Sequence, residues 1–453
     1  MTGRKKSNRQ LAAAIEEVGC TYEALAKAVR GVAAESGETL HTSRSAVLSW
    51  VRGGTPTGRT AAYLAEALTR MATRKVTTAE IGLGFPTFGE AMAPDPLATA
   101  ADLGTLVMFH RRDFLALALA FAAGTVGLPL TYDHQAVAAT LRGAKTGRRA
   151  GAEEVSTVRQ LTEMFRTADE RLGGGYGLST VSSYLADAVV PMLQATFPSE
   201  EVRRSAYGAA AELATLVGWK CHDLGREGAA QRFYLLGYQL ACESDPAGHG
   251  AWMMRALTHQ ALDLHQTAHC VELAEAALSR AQGKVDRKTE ALLLVTAARA
   301  YGASGQSKNA AGALLAAEDA MLADDEGVPS YAGASGPVAA TVASHTGKTL
   351  TGMEDHRAAE RHYRAALQDR VPSMYQRVRG LTLANLAKSV ASQHRHEEAV
   401  ILWSECLDLM DGVASDRNKR ELKTVRSTMA VYSTRGIPGA PELAQRVTEL
   451  ASA

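Results

Sequence analysis

The feature that most constrains this chain is a spacing. Small residues stand at Gly218, Thr258, Ala298, Gly347 and Ala387, so three of the four intervals are forty residues. The longer interval crosses a Gly/Pro-rich stretch, Gly327 to Pro337. Each small position leads a similar set: Gly225, Ala230, Tyr234 and Gly237; then Cys270, Ala274 and Ala277; then Tyr301, Gly305, Ala310, Leu314 and Ala317; then Ala359, Tyr363 and Ala366; then Ala399, Trp403 and Cys406. Repetition at this period marks stacked supersecondary units, none of which can bury its apolar face alone. Small residues are needed where two helices cross, because a side chain larger than alanine would push them apart. Composition agrees. The chain is 46% hydrophobic but only 6% aromatic, and it is rich in Ala and Leu, which favours helix over strand. The sequence predicts an all-α protein, with Asp416 to Tyr432 and Pro441 to Ala453 as a closing helical cap.

This pattern resembles the tetratricopeptide repeat, with each unit longer than the usual length of about 34 residues. The resemblance implies a right-handed α-solenoid over residues 151–453, its concave face lined by the first helix of each pair. The residue after each small position then lies near that face. Those residues are Trp219, His259, Arg299, Lys348 and Lys388. One aromatic and four basic or potentially basic groups in register predict a groove for an anionic small molecule, or for a peptide with acidic groups or a free carboxylate. The competing reading is a solvated helix face.

The N-terminus reads differently. Leu11, Ala14, Ile15 and Val18 make one apolar face of a first helix, and Thr21 can cap a second. Thr42 can cap a third, leaving Ser43, Arg44 and Ser45 in its exposed first turn. Val47, Leu48, Trp50 and Val51 supply its inner side, and Gly53, Gly54 and Pro56 stop it. Ala61, Leu64, Ala65 and Leu68 face inward from a fourth. These residues resemble Cro/C1-type (XRE) helix-turn-helix regulators in Leu25-Ala26, Val47, Trp50-x-Arg52-Gly53, Pro56 and Leu64-Ala65-x-x-Leu68. The departure is Gly31 to His41, some ten residues where the family has a tight turn, so the second helix is longer or the turn is a loop. The resemblance implies binding of double-stranded DNA, with Thr42, Ser43, Arg44, Ser45, Ser49 and Arg52 at the interface. Arg reaches guanine edges bidentately, and Ser bonds to a base or a phosphate. Residues 1–75 hold twelve Lys or Arg and six acids, a net +6, while the whole chain is +1 and the remainder therefore −5. A basic module on a mildly acidic body is an electrostatic footprint for phosphate.

Between these parts lie a Gly/Pro-containing linker, 76–105, and a helical connector, 106–150. The connector holds Arg111-Arg112 and an uncharged run to Tyr132. Gly124, Gly127 and Pro129 interrupt that run, so a buried helix is expected rather than an export signal or a membrane span. The stretch from Val158 through Phe165, Asp169, Gly173-Gly174-Gly175, Tyr184-Leu185 and Val190-Pro191-Met192-Leu193 is similar to the segment preceding the repeats in actinobacterial NsdA-type regulators. No Gly-Lys-Ser/Thr follows the glycines, so a tight bend is expected rather than a phosphate loop.

Five scattered cysteines without C-x-x-C fit a reducing cytoplasm. His265 and His269 are spaced for zinc on a helix, but the catalytic Glu is missing, and no metal or cofactor is expected. No nucleophile elbow, nucleotide fingerprint or carboxylate pair appears, so no enzyme is expected. The sequence thus predicts a cytoplasmic, homodimeric transcriptional regulator that senses a ligand, peptide or protein through its repeats and does not engage membrane. In architecture it is similar to peptide-pheromone sensors of Gram-positive bacteria. The alternative is a repeat scaffold that binds another regulator.

Overall fold

Asn8 begins the first helix, α1 (Arg9–Val18), by accepting from Leu11 N with Oδ1 at 3.0 Å. Its side-chain amide donates to Ile81 O at 2.8 Å, and its backbone N–H donates to Val51 O at 2.8 Å. One capping residue therefore ties together the start of α1, the end of a third helix and the segment beyond a fourth. The computed structural model describes residues 7–35, 40–54, 56, 60–72, 76, 78, 80–83, 149–323, 327–334, 336–371 and 374–452. They fall into an N-terminal unit and a larger C-terminal unit.

In the N-terminal unit, Gly19 ends α1 at φ 65°, a left-handed position that glycine adopts without steric cost. Thr21 Oγ1 accepts from Ala24 N and starts α2 (Tyr22–Glu35). The extra residues of the sequence are thus partly absorbed as helix, through Glu35. Next come α3 (Arg44–Val51) and α4 (Thr60–Ala72). α2 packs on α3 and α4, and α1 packs on the same two. The core is Leu11, Ile15, Leu25, Val29, Val47, Trp50, Tyr63, Leu64 and Leu68, together with Val76 and Ile81. The last two lie beyond residue 75, so the bundle continues into the stretch read as linker. Gly82 sits at φ 64°, where a Cβ would stand 2.6 Å from Asn8 Oδ1. The apolar run ending at Tyr132 lies outside the described residues. Among the described residues no helix is long and apolar enough to cross a membrane.

Among the described residues the C-terminal unit is all-α apart from an isolated bridge, Arg149 to Thr196. It opens with α5 (Ala152–Leu172) and a short bent pair, α6 (Leu178–Tyr184) and α7 (Val190–Leu193), joined by a π-turn at Leu185–Val189. Helix pairs follow in solenoid fashion: α8 (Glu200–Asp223) with α9 (Glu227–Ser244), α10 (Gly248–Asp263) with α11 (Thr267–Ala281), and α12 (Arg287–Ala303) with α13 (Ser307–Met321). After a short helix, α14 (Ser330–Gly333), come α15 (Val338–Gly352) with α16 (His356–Gln368), α17 (Gln376–Ser392) with α18 (His396–Met410), and α19 (Asp416–Thr434) with α20 (Ala440–Ser452).

The small positions sit where the sequence requires them. A Cβ on Gly218 would meet the Tyr234 ring at 2.8 Å, and one on Gly347 would meet the Tyr363 ring at 2.8 Å. Thr258, Ala298 and Ala387 are fully buried. The turn inside each of these pairs repeats as well. Gly225, His265, Gly305, Glu354 and His394 all have φ between 58° and 77°. Each stands seven residues after its small position. A left-handed residue at the end of the first helix reverses the chain within a short turn, and three of the five are not glycine.

The first helices form the inner row. α8 touches α10, α10 touches α12, α12 touches α15, α15 touches α17, and α17 touches α19. α5 packs against both α8 and α17, which closes the row into a ring. A buried ionic hub makes the closure. Asp169 pairs with Lys220 at 3.2 Å and with Arg377 at 2.9 Å. Arg377 also takes Glu170 at 2.7 Å and Asp223 at 3.5 Å. Asp223 in turn accepts from Ser415 Oγ at 2.9 Å and from Gly174 N at 3.0 Å. A Cβ on Gly174 would lie 2.7 Å from Lys220 O. The glycine triplet is therefore a close-packed bend.

Candidate functional site

The ring encloses a cavity of about 200 Å³. Its wall is built from successive turns of the inner helices. α10 contributes His249, Trp252, Arg255, His259 and Asp263 along one face; α8 gives Trp219, α12 gives Arg299, and α15 gives Thr341, His345 and Lys348. α17 adds Leu381 and Asn385. An adjoining groove shares Asp263, Arg299, Lys348 and Asn385 and runs on to Gly302 and Gly352, at the C-terminal ends of α12 and α15. The cavity opens at that end.

The opposite end is filled by the stretch that interrupts the repeat spacing. Tyr331 of α14 stacks on His249 with centroids 4.4 Å apart and tilts against Trp252 at 6.0 Å. Ser330 Oγ donates to Glu212 Oε1 at 2.8 Å. Tyr331 and Ala334 line the cavity. In the sequence this segment is a gap between repeats, whereas in the structure it forms an inner plug.

Four of the five residues predicted to share a face line this one cavity: Trp219, His259, Arg299 and Lys348. The fifth, Lys388, does not. Its Nζ pairs with Glu421 at 2.7 Å. Sequence register missed Arg255, His345 and Trp252. Arg255 and Trp252 lie one and two turns before His259 on α10, and His345 lies three residues before Lys348. Helical spacing from the predicted positions was the available signal for all three.

Arg299 organises the wall. Its Nη1 lies 3.0 Å from His259 Nδ1 and 3.2 Å from His345 Nδ1. Arginine can only donate. Both Nδ1 atoms therefore accept, and both imidazoles are neutral with the hydrogen on Nε2. The rings stack at 4.8 Å. His345 Nε2–H then faces Arg255 Nη2 at 3.5 Å donor to donor, so that approach is not a hydrogen bond. His259 Nε2, buried, has no hydrogen-bond partner.

The charge state follows from this crowding. Burial, with Arg255 and Arg299 beside it, holds His259 well below the ordinary imidazole range. Burial, with Arg299 and His259 close, does the same to His345. Burial and then Arg299 and Arg417 hold Lys348 well below the usual lysine range, and burial pushes Arg255 down to about 9. The nearby carboxylate is already engaged. Burial alone would raise Asp263, but His222 at 3.0 Å and Arg417 at 3.3 Å hold it well below the usual range. Two guanidiniums approach the Trp219 ring, Arg417 at 5.3 Å and Arg377 at 5.7 Å from its centre.

The second candidate surface is α3. Val47 and Trp50 are buried, while Arg44, Ser45, Ser49 and Arg52 are exposed on the other side. The cap is corrected by one residue. Ser43 rather than Thr42 is the N-cap, its Oγ accepting from Ala46 N at 3.4 Å and lying 2.7 Å from Ser45 Oγ. Thr42 is buried, and its carbonyl accepts from Arg30, so it leaves the predicted interface while the other five stay exposed. At the other end Gly54 N donates to Ser49 O at 2.8 Å, closing the helix after Arg52. His265 takes the left-handed turn at φ 58°, and His269 faces Glu272 at 3.6 Å.

Residues 11–84 match the sequence family described as the SP15 N-terminal domain. The match covers the four-helix bundle through Leu83 and none of the repeat unit. No curated protein matches the chain.

Proposed function

We propose that this protein is a DNA-binding transcriptional regulator of the cytoplasm whose helical ring senses a small ligand. The observation that carries the DNA reading is the two-sided character of α3. Its inner side is fixed in the bundle core by Val47 and Trp50, and its outer side offers Ser43, Arg44, Ser45, Ser49 and Arg52 to solvent. Short polar side chains and Arg in the first turn of an exposed helix suit the major groove. The +6 charge of residues 1–75 supplies the attraction to phosphate.

The sensing role rests on the cavity, which lies inside the inner row of helices. A ligand that favours one spacing of those helices shifts the population between two curvatures of the repeat unit. In a homodimer, that shift alters how two DNA-binding units meet half-sites about one helical turn apart. Leu315 and Ile401, on the outer helices α13 and α18, are among the exposed large apolar residues that a partner copy could cover. Exposed apolar residues on the outer helices also suit a second reading, in which the repeats hold another regulator and the bundle adds little DNA affinity.

Selection of genomic fragments by purified full-length protein separates the two readings. The regulator reading expects enrichment of particular fragments and binding that weakens steeply as salt rises. Absence of binding at low salt leaves the scaffold reading in its place.

A further inference from the structure

We propose that the cavity of the ring takes a compact organic anion, its carboxylate or phosphate gripped by Arg299 and Lys348. This deepens the sensor reading and rests on it for biological role, though the geometry stands by itself.

Three features of the wall lead to it. Arg299 and Lys348 both face the cavity, and neither has a carboxylate within ion-pair distance among the described residues. Asp263, one of the acids in the wall, is engaged through Oδ2 by His222 and Arg417. A cation inside a protein is normally matched by an anion, so this wall has an unmatched preference for negative charge. The second feature is His259. Its Nδ1 accepts from Arg299 at 3.0 Å. A neutral acceptor of this kind orients the guanidinium in the wall and leaves its charge to be met by an anion.

The third feature is enclosure. α14 fills one end of the ring, and α5 closes its side through the Asp169 and Arg377 pair. A volume of 200 Å³ holds on the order of fifteen water-sized positions. That suits a metabolite of similar heavy-atom count. Trp219, Trp252 and Leu381 in the wall are available to the body of the molecule.

Lys348 adds a signature. It is held below its usual range by burial and by Arg299 and Arg417. An anion placed beside it favours the ammonium, so binding draws a proton from solution.

The test uses full-length protein with benzoate, phenyl phosphate and inorganic phosphate as probes and neutral benzamide as control. Trp219 and Trp252 in the wall report occupancy by fluorescence. The expected result is a saturable change with at least one anion and none with benzamide at the same concentration. Arg299→Gln and Lys348→Met should each weaken that anion about tenfold, with the melting curve of Lys348→Met close to the parent's. Calorimetry in two buffers of different ionisation enthalpy should show proton uptake that Lys348→Met abolishes. Preference for phenyl phosphate or for benzoate identifies the head group. Anion binding without any change in DNA affinity keeps this assignment and removes the sensor role. Equal binding of benzamide and benzoate, parent-like affinity in Lys348→Met, or no saturable change with any of the three anions overturns it.

Discussion

Arg377 donates to Asp169 at 2.9 Å across 208 positions of sequence, both side chains buried. This contact turns a row of stacked helices into a closed ring, because α5 precedes the repeats and α17 comes late in them. Coulomb attraction from Glu170, Asp169 and Asp223 raises Arg377 further above its ordinary range despite burial. Asp169→Ala strands Lys220 and Arg377 with less countercharge. Removing one partner of a buried pair costs about 3–5 kcal/mol. Denaturant unfolding of the variant should show that loss. An unchanged midpoint would mean that α5 only rests on the ring.

The hairpin turns give a prediction of opposite sign. Glu354 and His394 hold φ of 65° and 62°, a conformation that Gly225 and Gly305 adopt at the equivalent positions. A side chain there is strained by about 1–2 kcal/mol, and part of the gain on removing it is offset by the chain entropy of glycine. Glu354→Gly should therefore stabilise the protein by roughly 0.5–1 kcal/mol. Glu354 is exposed, so little packing is lost. A lower midpoint in thermal unfolding contradicts the turn geometry.

Acid should weaken the ring. His249 is pushed down to about 3 by burial, and His259 and His345 are held well below the imidazole range. The unfolded chain titrates its histidines near about pH 6.5, so below that pH it binds protons that the folded ring does not. Stability is therefore full above about pH 6.5 and falls as pH drops toward the folded values, by up to about 1.4 kcal/mol per pH unit for each such group. The groups facing His259 and His345 are Arg255, Arg299, Lys348 and Asp263, of which three are basic. His345→Gln should lessen the slope of unfolding free energy between pH 6.5 and 5. A slope equal to the parent's rules out His345 as a contributor.

In the N-terminal unit, Trp50→Ala should unfold the bundle rather than alter which base is read. Trp50 closes α3 against the core formed by Leu11, Leu25 and Leu64. Truncating a buried Trp costs about 3–5 kcal/mol, a large share of a small domain's stability. Loss of helical signal and of protease resistance confined to residues 7–83 is the expected outcome. A bundle that melts as before would place α3 differently.

Much of this architecture is legible in the sequence because it depends on residue size at a fixed period. Gly218 and Gly347 admit Tyr234 and Tyr363, and no larger residue could stand there. The register of Trp219, His259, Arg299 and Lys348 follows from the same period. Lys388 keeps the register but not the cavity, because Glu421 on α19 claims its charge. That pairing depends on where the last helix pair docks, which local pattern does not encode. The ring closure was equally hidden, since Asp169 and Arg377 carry no short-range signal of their contact. The plug at Tyr331 read as an interruption because its order comes from stacking on His249, far away in sequence. The one-residue error at Thr42 is of the same kind. Serine caps somewhat better than threonine by type, and Thr42 is buried with its carbonyl accepting from Arg30, which leaves Ser43 as the cap.

The central claim is that α3 reads DNA and that the ring governs it. Its most direct test is the affinity of full-length protein for a selected genomic fragment, measured by fluorescence anisotropy for the parent, Arg44→Ala and Arg299→Ala, across salt and with or without the anion that binds best. Arg44→Ala should lose about 1–3 kcal/mol and relax preference at one position of the site. Arg299→Ala should keep the parent's basal affinity and lose its response to the anion, a coupling of about 1–3 kcal/mol that is reciprocal between anion and DNA. Parent-like affinity in Arg44→Ala, together with a salt response that is flat, would contradict the account.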